Sequence, residues 1–267
     1  SQITFSSING MYGKYGLDVA ADGKVYFIAG VDKNSAVFSM DSDGSNIRQI
    51  TSPGFFDRRL HVVPEWDRIV FDSNRSGATE VWSCRTDGTE LIQLTSGGGN
   101  FDAHPTPDGK WVVYTSRTNG QNRLWKIPLD GGQAVRVTDF ESSEPTLSPD
   151  GTLIACRFEN ESDARERLAI VRIDNGSLVR SFTLPKTANL SGTNRWTPDA
   201  RFVAYRDWAN GIWLQGIDGG APTRLEGIPK EKVFSFAWST DGKRFAISRG
   251  GETSDAVLFV LPGGQTN

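Results

Sequence analysis

The chain has 267 residues, enough for one large all-β unit or two small domains, and its 29 Gly, 12 Pro and 8 Trp suit many short strands joined by tight turns. Its formal net charge is −3 with no basic run, which argues against a nucleic-acid partner, and no stretch approaches the roughly 20 apolar residues of a membrane helix. Two cysteines, Cys84 and Cys156, cannot build a disulfide framework and are expected as free, buried thiols.

In chain order, Gln2-Ile3-Thr4 comes first, a short strand that matches Gln49-Ile50-Thr51 and resembles Gln93-Leu94-Thr95. Asp22-Gly23-Lys24 leads into Val25-Tyr26-Phe27. A second run is centred on Phe38, Asp43-Gly44 marks a turn, and a further run ends at Thr51. The same order then recurs. Pro64-Glu65 precedes Ile69-Val70-Phe71, Trp82, Asp87-Gly88 and Thr95, and Pro107-Asp108-Gly109-Lys110 precedes Tyr114, Trp125, Asp130-Gly131 and Thr138. Pro149-Asp150-Gly151 opens the fourth unit, with Ile170, Asn175-Gly176 and Thr183. Pro198-Asp199 opens the fifth, with Trp213, Asp218-Gly219 and Glu226. Asp241-Gly242-Lys243 opens the sixth, with Leu258 and Gly263-Gly264. Asp-Gly and Asn-Gly supply the positive-φ positions that two-residue hairpins need.

The acidic anchors at 22, 65, 108, 150, 199 and 241 are separated by 43, 43, 42, 49 and 42 residues, the period of propeller blades. With a short strand before each anchor, every unit has four strands. The expected fold is all-β: a six-bladed β-propeller of four-stranded antiparallel blades, one domain over residues 1–267. The sixth unit lacks an outermost strand, so residues 1–5 are expected to complete blade six and close the ring, because an open ring leaves unpaired strand edges. Such a ring is expected to be monomeric.

Phase within the repeat sorts the candidate site. The third residue before each anchor is Val19, Val62, Pro105, Leu147, Trp196 and Trp238, an apolar row that should pack between blades. The fourth is Asp18, His61, His104, Thr146, Arg195 and Ala237, which alternation along a strand sends the other way, into the channel. Both histidines of the protein fall in this row, beside Asp18. Asp18, His61 and His104 suit a metal or an anion, but they fall short of a full coordination set. A polar, water-filled channel explains the row without metal or cofactor.

The sixth residue back gives Gly16, Arg59, Asp102, Glu144, Thr193 and Ser235, expected nearer the channel mouth. The loops entering these strands differ from one another, among them Phe55-Phe56-Asp57-Arg58, Gly97 to Phe101, 189–194 and 230–232, with Tyr12 and Tyr15 from the first connection. Divergence within a repeating frame is where individual function sits. Phe56 and Phe101 beside Arg59, Asp102, Glu144 and Arg195 suit a protein or peptide partner, or a small polar ligand.

Other motifs lose force on inspection. Asp41 to Asn46 looks like the start of a calcium loop but lacks the downstream Glu and coincides with the turn of every unit. Gly97-Gly98-Gly99 has no following Lys-Ser/Thr pair, and no Gly-x-Ser-x-Gly elbow exists for a serine hydrolase. The charged stretch from Glu159 to Arg167 is expected as a solvated excursion of blade four.

The phrases Ser148-Pro149-Asp150-Gly151 and Thr106-Pro107-Asp108-Gly109-Lys110, each followed by an aliphatic-aromatic run, resemble the TolB-like propeller family. Glu65-Trp66-Asp67 and Ala200 depart from that signature without threatening the architecture. Relatives of this type include the periplasmic TolB protein and domains attached to peptidases, kinases or DNA-binding domains of bacterial regulators. The resemblance thus implies a binding module with any catalytic part elsewhere, and an extracytoplasmic setting. A chain starting at Ser1 fits a domain excised from a larger bacterial protein. The alternative is a lyase or hydrolase at the channel. The related oligogalacturonate lyases use a multi-histidine manganese site that two histidines cannot reproduce, though Asp102 and Glu144 could serve as acid and base with His104.

Overall fold

The computed structural model describes residues 2–3, 16–20, 22–31, 33–158, 167–191, 194–207, 211–228, 232–239, 241–250 and 254–260. The expectations for Thr4, Phe5, Tyr12, Tyr15, Thr193, Lys230, Glu231, the stretch 159–166 and Gly263-Gly264 lie outside these residues. The protein is an all-β propeller of antiparallel sheets. Among the described residues the strands sort, in chain order, into six sheets, five of four strands and one of five. No described helix is long and apolar enough to cross a membrane.

The first sheet holds Leu17–Val19, Val25–Val31, Asn34–Met40 and Arg48–Gln49. The second holds Asp57–Val63, Arg68–Ser73, Glu80–Arg85 and Ile92–Gln93; the third holds Asn100–Pro105, Trp111–Thr118, Gln121–Pro128 and Val135–Arg136. The fourth runs Ser142–Leu147, Leu153–Phe158, Arg167–Arg172 and Leu178–Thr183. The fifth combines Ala188–Asn189 and Arg195–Trp196 with Phe202–Asp207, Ile212–Gly216 and Thr223–Arg224. The sixth has Val233–Trp238, Arg244–Gly250 and Ser254–Val260, and Gln2–Ile3 pairs onto its edge with Gln2 opposite Val257 and Ile3 opposite Ala256.

Hydrogen bonds explain why the repeated residues recur. Thr106, Ser148, Thr197 and Ser239 each donate a hydroxyl proton to the anchor carboxylate two residues on, at 2.5–2.6 Å. The same carboxylate oxygen accepts the amide proton two residues further, which closes the turn. Thr51, Thr95 and Thr138 accept the amides of Val37, Val81 and Leu124 at 2.9 Å, tying the outermost strand to the third. Their hydroxyls also contact Asp57, Glu80 and Ser142 at the start of, or beside, the next sheet's inner strand. The Asp41–Asn46 segment is one of the recurring turns: Asp43 accepts from the amide and hydroxyl of Ser45, and Asp41 accepts from Asn46.

The apolar core lies in the seams between sheets. Leu60, Ile69 and Phe71 pack with Tyr26 and Ile28 of the first sheet, and Ile154 and Cys156 pack with Val113 and Leu124 of the third. Ala246 of the sixth sheet joins Leu17, Val19 and Phe27 of the first. Truncating a fully buried residue such as Leu60 to Ala should cost about 2–5 kcal/mol. Cys84 and Cys156 are free and buried, as expected.

Candidate functional site

The inner strands deliver the whole fourth-residue row to one place. Asp18, His61, His104, Thr146, Arg195 and Ala237 line a single cavity of about 320 Å³. Its wall combines apolar Val62, Leu147, Trp196 and Trp238 with Glu65, Thr106, Ser148 and Ser239, and it reaches the anchor turns at Pro107, Pro149 and Pro198. The third-residue row therefore serves twice: Val62, Leu147 and Trp196 are buried in the seams and their edges face the cavity.

On the floor, the His61 and His104 rings lie 4.1 Å apart between centroids, tilted by 37°. The Pro105 carbonyl, 3.1 Å from His104 Nδ1, can only accept, so that nitrogen carries the proton and Nε2 is left to accept from the Thr146 hydroxyl at 3.3 Å. Asp18 accepts the amides of Val19 and Val62, both at 2.9 Å, and its Oδ2 stands 3.7 Å from His61 Nδ1, too far for a hydrogen bond. Arg195 donates to the Asn194 carbonyl at 3.1 Å, and Asn194 donates to the Glu144 carbonyl at 2.8 Å. Among the described residues Arg195 makes no carboxylate ion pair.

Burial sets the charges here. It holds both imidazoles well below their ordinary 6.5; the Arg195 cation depresses His61 further, as His61 and then Arg195 do for His104. Burial likewise raises Asp18 against the pull of Arg195, and lowers Arg195 against the pull of Asp18. Near neutral pH the floor thus offers two neutral imidazoles, one hydroxyl, the Asp18 carboxyl group and one guanidinium. Among the described residues no group of three or more His, Cys, Asp or Glu side chains is placed to hold a metal ion.

Arg59, Asp102 and Glu144 of the sixth-residue row sit toward the other end of the inner strands, on an irregularity that simple alternation does not foresee. The register shifts between Arg58 and His61, between Phe101 and His104, and between Ser143 and Thr146. Within each bulge one residue takes left-handed backbone: Arg59 (φ 52°), Asp102 (φ 57°) and Glu144 (φ 56°). Gly16 holds the matching place in the first sheet. Arg59 pairs with Asp102, and its Nη2 lies 3.4 Å from Glu144 Oε1. These charges, with Gly16, His61 and Arg195, leave a void of only about 20 Å³. Asp72, fully buried, holds the third-sheet bulge by accepting the Asp102 amide at 2.9 Å.

The cavity thus extends toward the anchor turns and away from the divergent loops. Phe56 and Phe101 line neither it nor the small void; Arg58 lies over the Phe56 ring at 5.6 Å, and Phe101 pairs with Thr115 in its sheet. Sequence reasoning missed Asp72, which lies on a second strand outside the rows counted from the anchors. The motif prolines could have been found, since three anchors carry Pro immediately before Asp.

A family model described as the TolB beta propeller domain matches residues 20–183, more than half the chain. A search of curated proteins finds no match. Among solved structures, TolB from Acinetobacter baumannii superposes with a TM-score of 0.67 at 15% identity, covering 92% of this chain and 76% of that one. A gluconolactonase from Xanthomonas campestris gives 0.65 at 15% identity, covering 98% and 94%. Hydrazine synthase from Kuenenia stuttgartiensis gives 0.63 at 14%, covering 92% and 79%. At these identities the likenesses carry the fold alone.

Proposed function

The chain belongs to the TolB beta propeller domain family, and on that premise we propose that it is a non-catalytic recognition module. In this reading residues 1–267 form one monomeric ring of six blades, closed by Gln2–Ile3. The ring binds an extended segment of a protein partner, or a small polar ligand, in the cavity lined by Asp18, His61, His104, Thr146 and Arg195.

The observation that carries the reading is Arg195. A partly buried guanidinium that makes no carboxylate ion pair among the described residues, facing a cavity with both polar and apolar walls, suits a ligand carboxylate or carbonyl. The hydroxyl of Thr146 and the neutral imidazoles add hydrogen-bonding groups, and Trp196 and Trp238 offer flat apolar contact. An acid–base enzyme has less behind it. Asp102 and Glu144 are paired with Arg59, and His104 spends both ring nitrogens on Pro105 and Thr146.

The test is selection of displayed peptides against the wild-type chain, followed by calorimetry on Arg195→Ala and on Arg136→Ala, an exposed control. A charge-assisted hydrogen bond lost from a buried site is worth about 1.5–3 kcal/mol, so binding should weaken roughly 10- to 100-fold on Arg195→Ala alone. Equal binding to both variants would remove the cavity as the site.

A further inference from the structure

The second sheet contains a filled slot. Phe71 and Trp82 face each other in register, and the Arg75 guanidinium lies 5.0 Å from the Phe71 ring, 5.2 Å from Trp82 and 5.3 Å from Phe55. Arg75 Nη2 donates to both Asp57 oxygens at 2.9 and 3.0 Å, and Nε donates to Ser73 Oγ at 2.9 Å. The side chain is 5% exposed, so the cation is part of the seam between the first and second sheets.

The third sheet repeats this scaffold without the cation. Tyr114 faces Trp125 in register, Ser116 stands in the place of Ser73, and Asn100 in the place of Asp57. Thr118 replaces Arg75, however, and Gly98 replaces Phe55. The slot is open: these six residues line a cavity of about 510 Å³. Beneath them Glu80, 2% exposed, accepts from Thr95 at 2.6 Å and Asn100 at 2.8 Å. Among the described residues Glu80 pairs with no cation, and no cation stacks on Trp125. Two aromatic rings line a space that, one sheet earlier, a guanidinium fills; Glu80 lies behind the lining, also accepting the Gly98 amide at 2.5 Å, and Arg117 borders the same cavity.

We propose that this cavity is a binding site for a guanidinium group presented by a ligand. A planar cation stacks on Trp and Tyr faces and also donates in the plane, which an ammonium point charge cannot do in the same way. Acceptors are in place: Ser116 supplies a hydroxyl, and Asn100 donates its two bonds through Nδ2, which leaves Oδ1 to accept. Glu80 supplies the negative potential. The site lies in a seam and not on the channel, so it stands or falls independently of the Arg195 cavity.

The guanidinium could come from a free small molecule or from an arginine side chain. NMR titration separates the two, with N-acetyl-arginine amide and a blocked Gly-Arg-Gly peptide as probes and the citrulline analogue, a neutral isostere, as control. Saturable shifts are expected at the Gly98 amide and the Trp125 indole, with a Kd on the order of 1 mM. Citrulline should bind at least about tenfold more weakly, as expected when the cation–π and Glu80 attractions are lost. Thr118→Arg, which supplies the cation from the chain itself, should abolish binding, and Ser116→Ala should weaken it several-fold without disturbing the fold. Binding of both probes shows that the group alone suffices; binding of the peptide alone assigns the site to a polypeptide. Citrulline binding as well as arginine, undiminished binding by Thr118→Arg and Ser116→Ala, or no binding of either probe would each overturn the proposal.

Discussion

Gly176→Ala tests how the sheets meet. Gly176 belongs to the Asn175-Gly176 turn of the fourth sheet and has φ +71°; a Cβ added there would overlap the backbone carbonyl oxygen of Val137 in the third sheet. Gly88 presses on the Ile50 carbonyl in the same way, two seams earlier, between the first and second sheets. Gly131, at the matching turn of the third sheet, has φ +86° but nothing within 4 Å of the added Cβ. Gly131→Ala therefore measures the left-handed backbone penalty alone, about 1–2 kcal/mol. Gly176→Ala adds the displacement of a backbone segment, an overpacking cost of about 1–3 kcal/mol that no rotamer change relieves. The variant should lose about 2–5 kcal/mol in total. Urea unfolding followed by circular dichroism measures both variants, with unchanged m-values as the check that only stability moved. Equal losses for the two would refute a turn-to-strand contact in this seam.

Three further outcomes follow from the buried groups. Burial pushes Asp72 up to about 7 from 3.8, so between those values the folded state keeps a proton that the unfolded chain has lost. Stability from this group therefore falls as pH rises through that window, by up to about 4 kcal/mol. Asp72→Asn, which retains an acceptor for the Asp102 amide, should flatten the profile measured from pH 5 to 8; parallel profiles would contradict the assignment. His61 behaves oppositely, because its folded value lies well below 6.5. Its contribution is present above 6.5 and lost as pH falls below it, so His61→Gln should be less acid-sensitive than the wild type in the same unfolding assay. Burial raises the thiols of Cys84 and Cys156 to about 12. Both should resist an aromatic disulfide reagent until the chain unfolds, and fast labelling of the native protein would argue otherwise.

The repeat was readable because each unit needs the same turn chemistry. An acidic acceptor and usually a glycine recur in phase, with a hydroxyl two residues before the anchor in the last four units, and where glycine is absent Ala200 (φ 58°) and Asp67 (φ 51°) take the left-handed backbone themselves. Phase also carried the floor of the cavity, since Asp18, His61, His104, Thr146 and Arg195 share one position on successive inner strands. The bulges were not readable. A period of two cannot count an extra residue, and Arg59, Asp102 and Glu144 occupy backbone that sequence patterns assign to glycine. Nor does the repeat indicate which end of the inner strands is open; that depends on Arg59 meeting Asp102 and Glu144 across sheets. The vacant slot becomes visible only when Thr118 is set against Arg75 in a shared frame.

A crystal structure of the chain with a peptide selected against it examines recognition in the channel most directly. A ligand oxygen at hydrogen-bonding distance from Arg195, with the peptide backbone running between the Trp196 and Trp238 walls toward Pro107 and Pro149, is the predicted result. Density confined to the divergent loops around Phe56 and Phe101, with the Arg195 cavity holding only solvent, would contradict it.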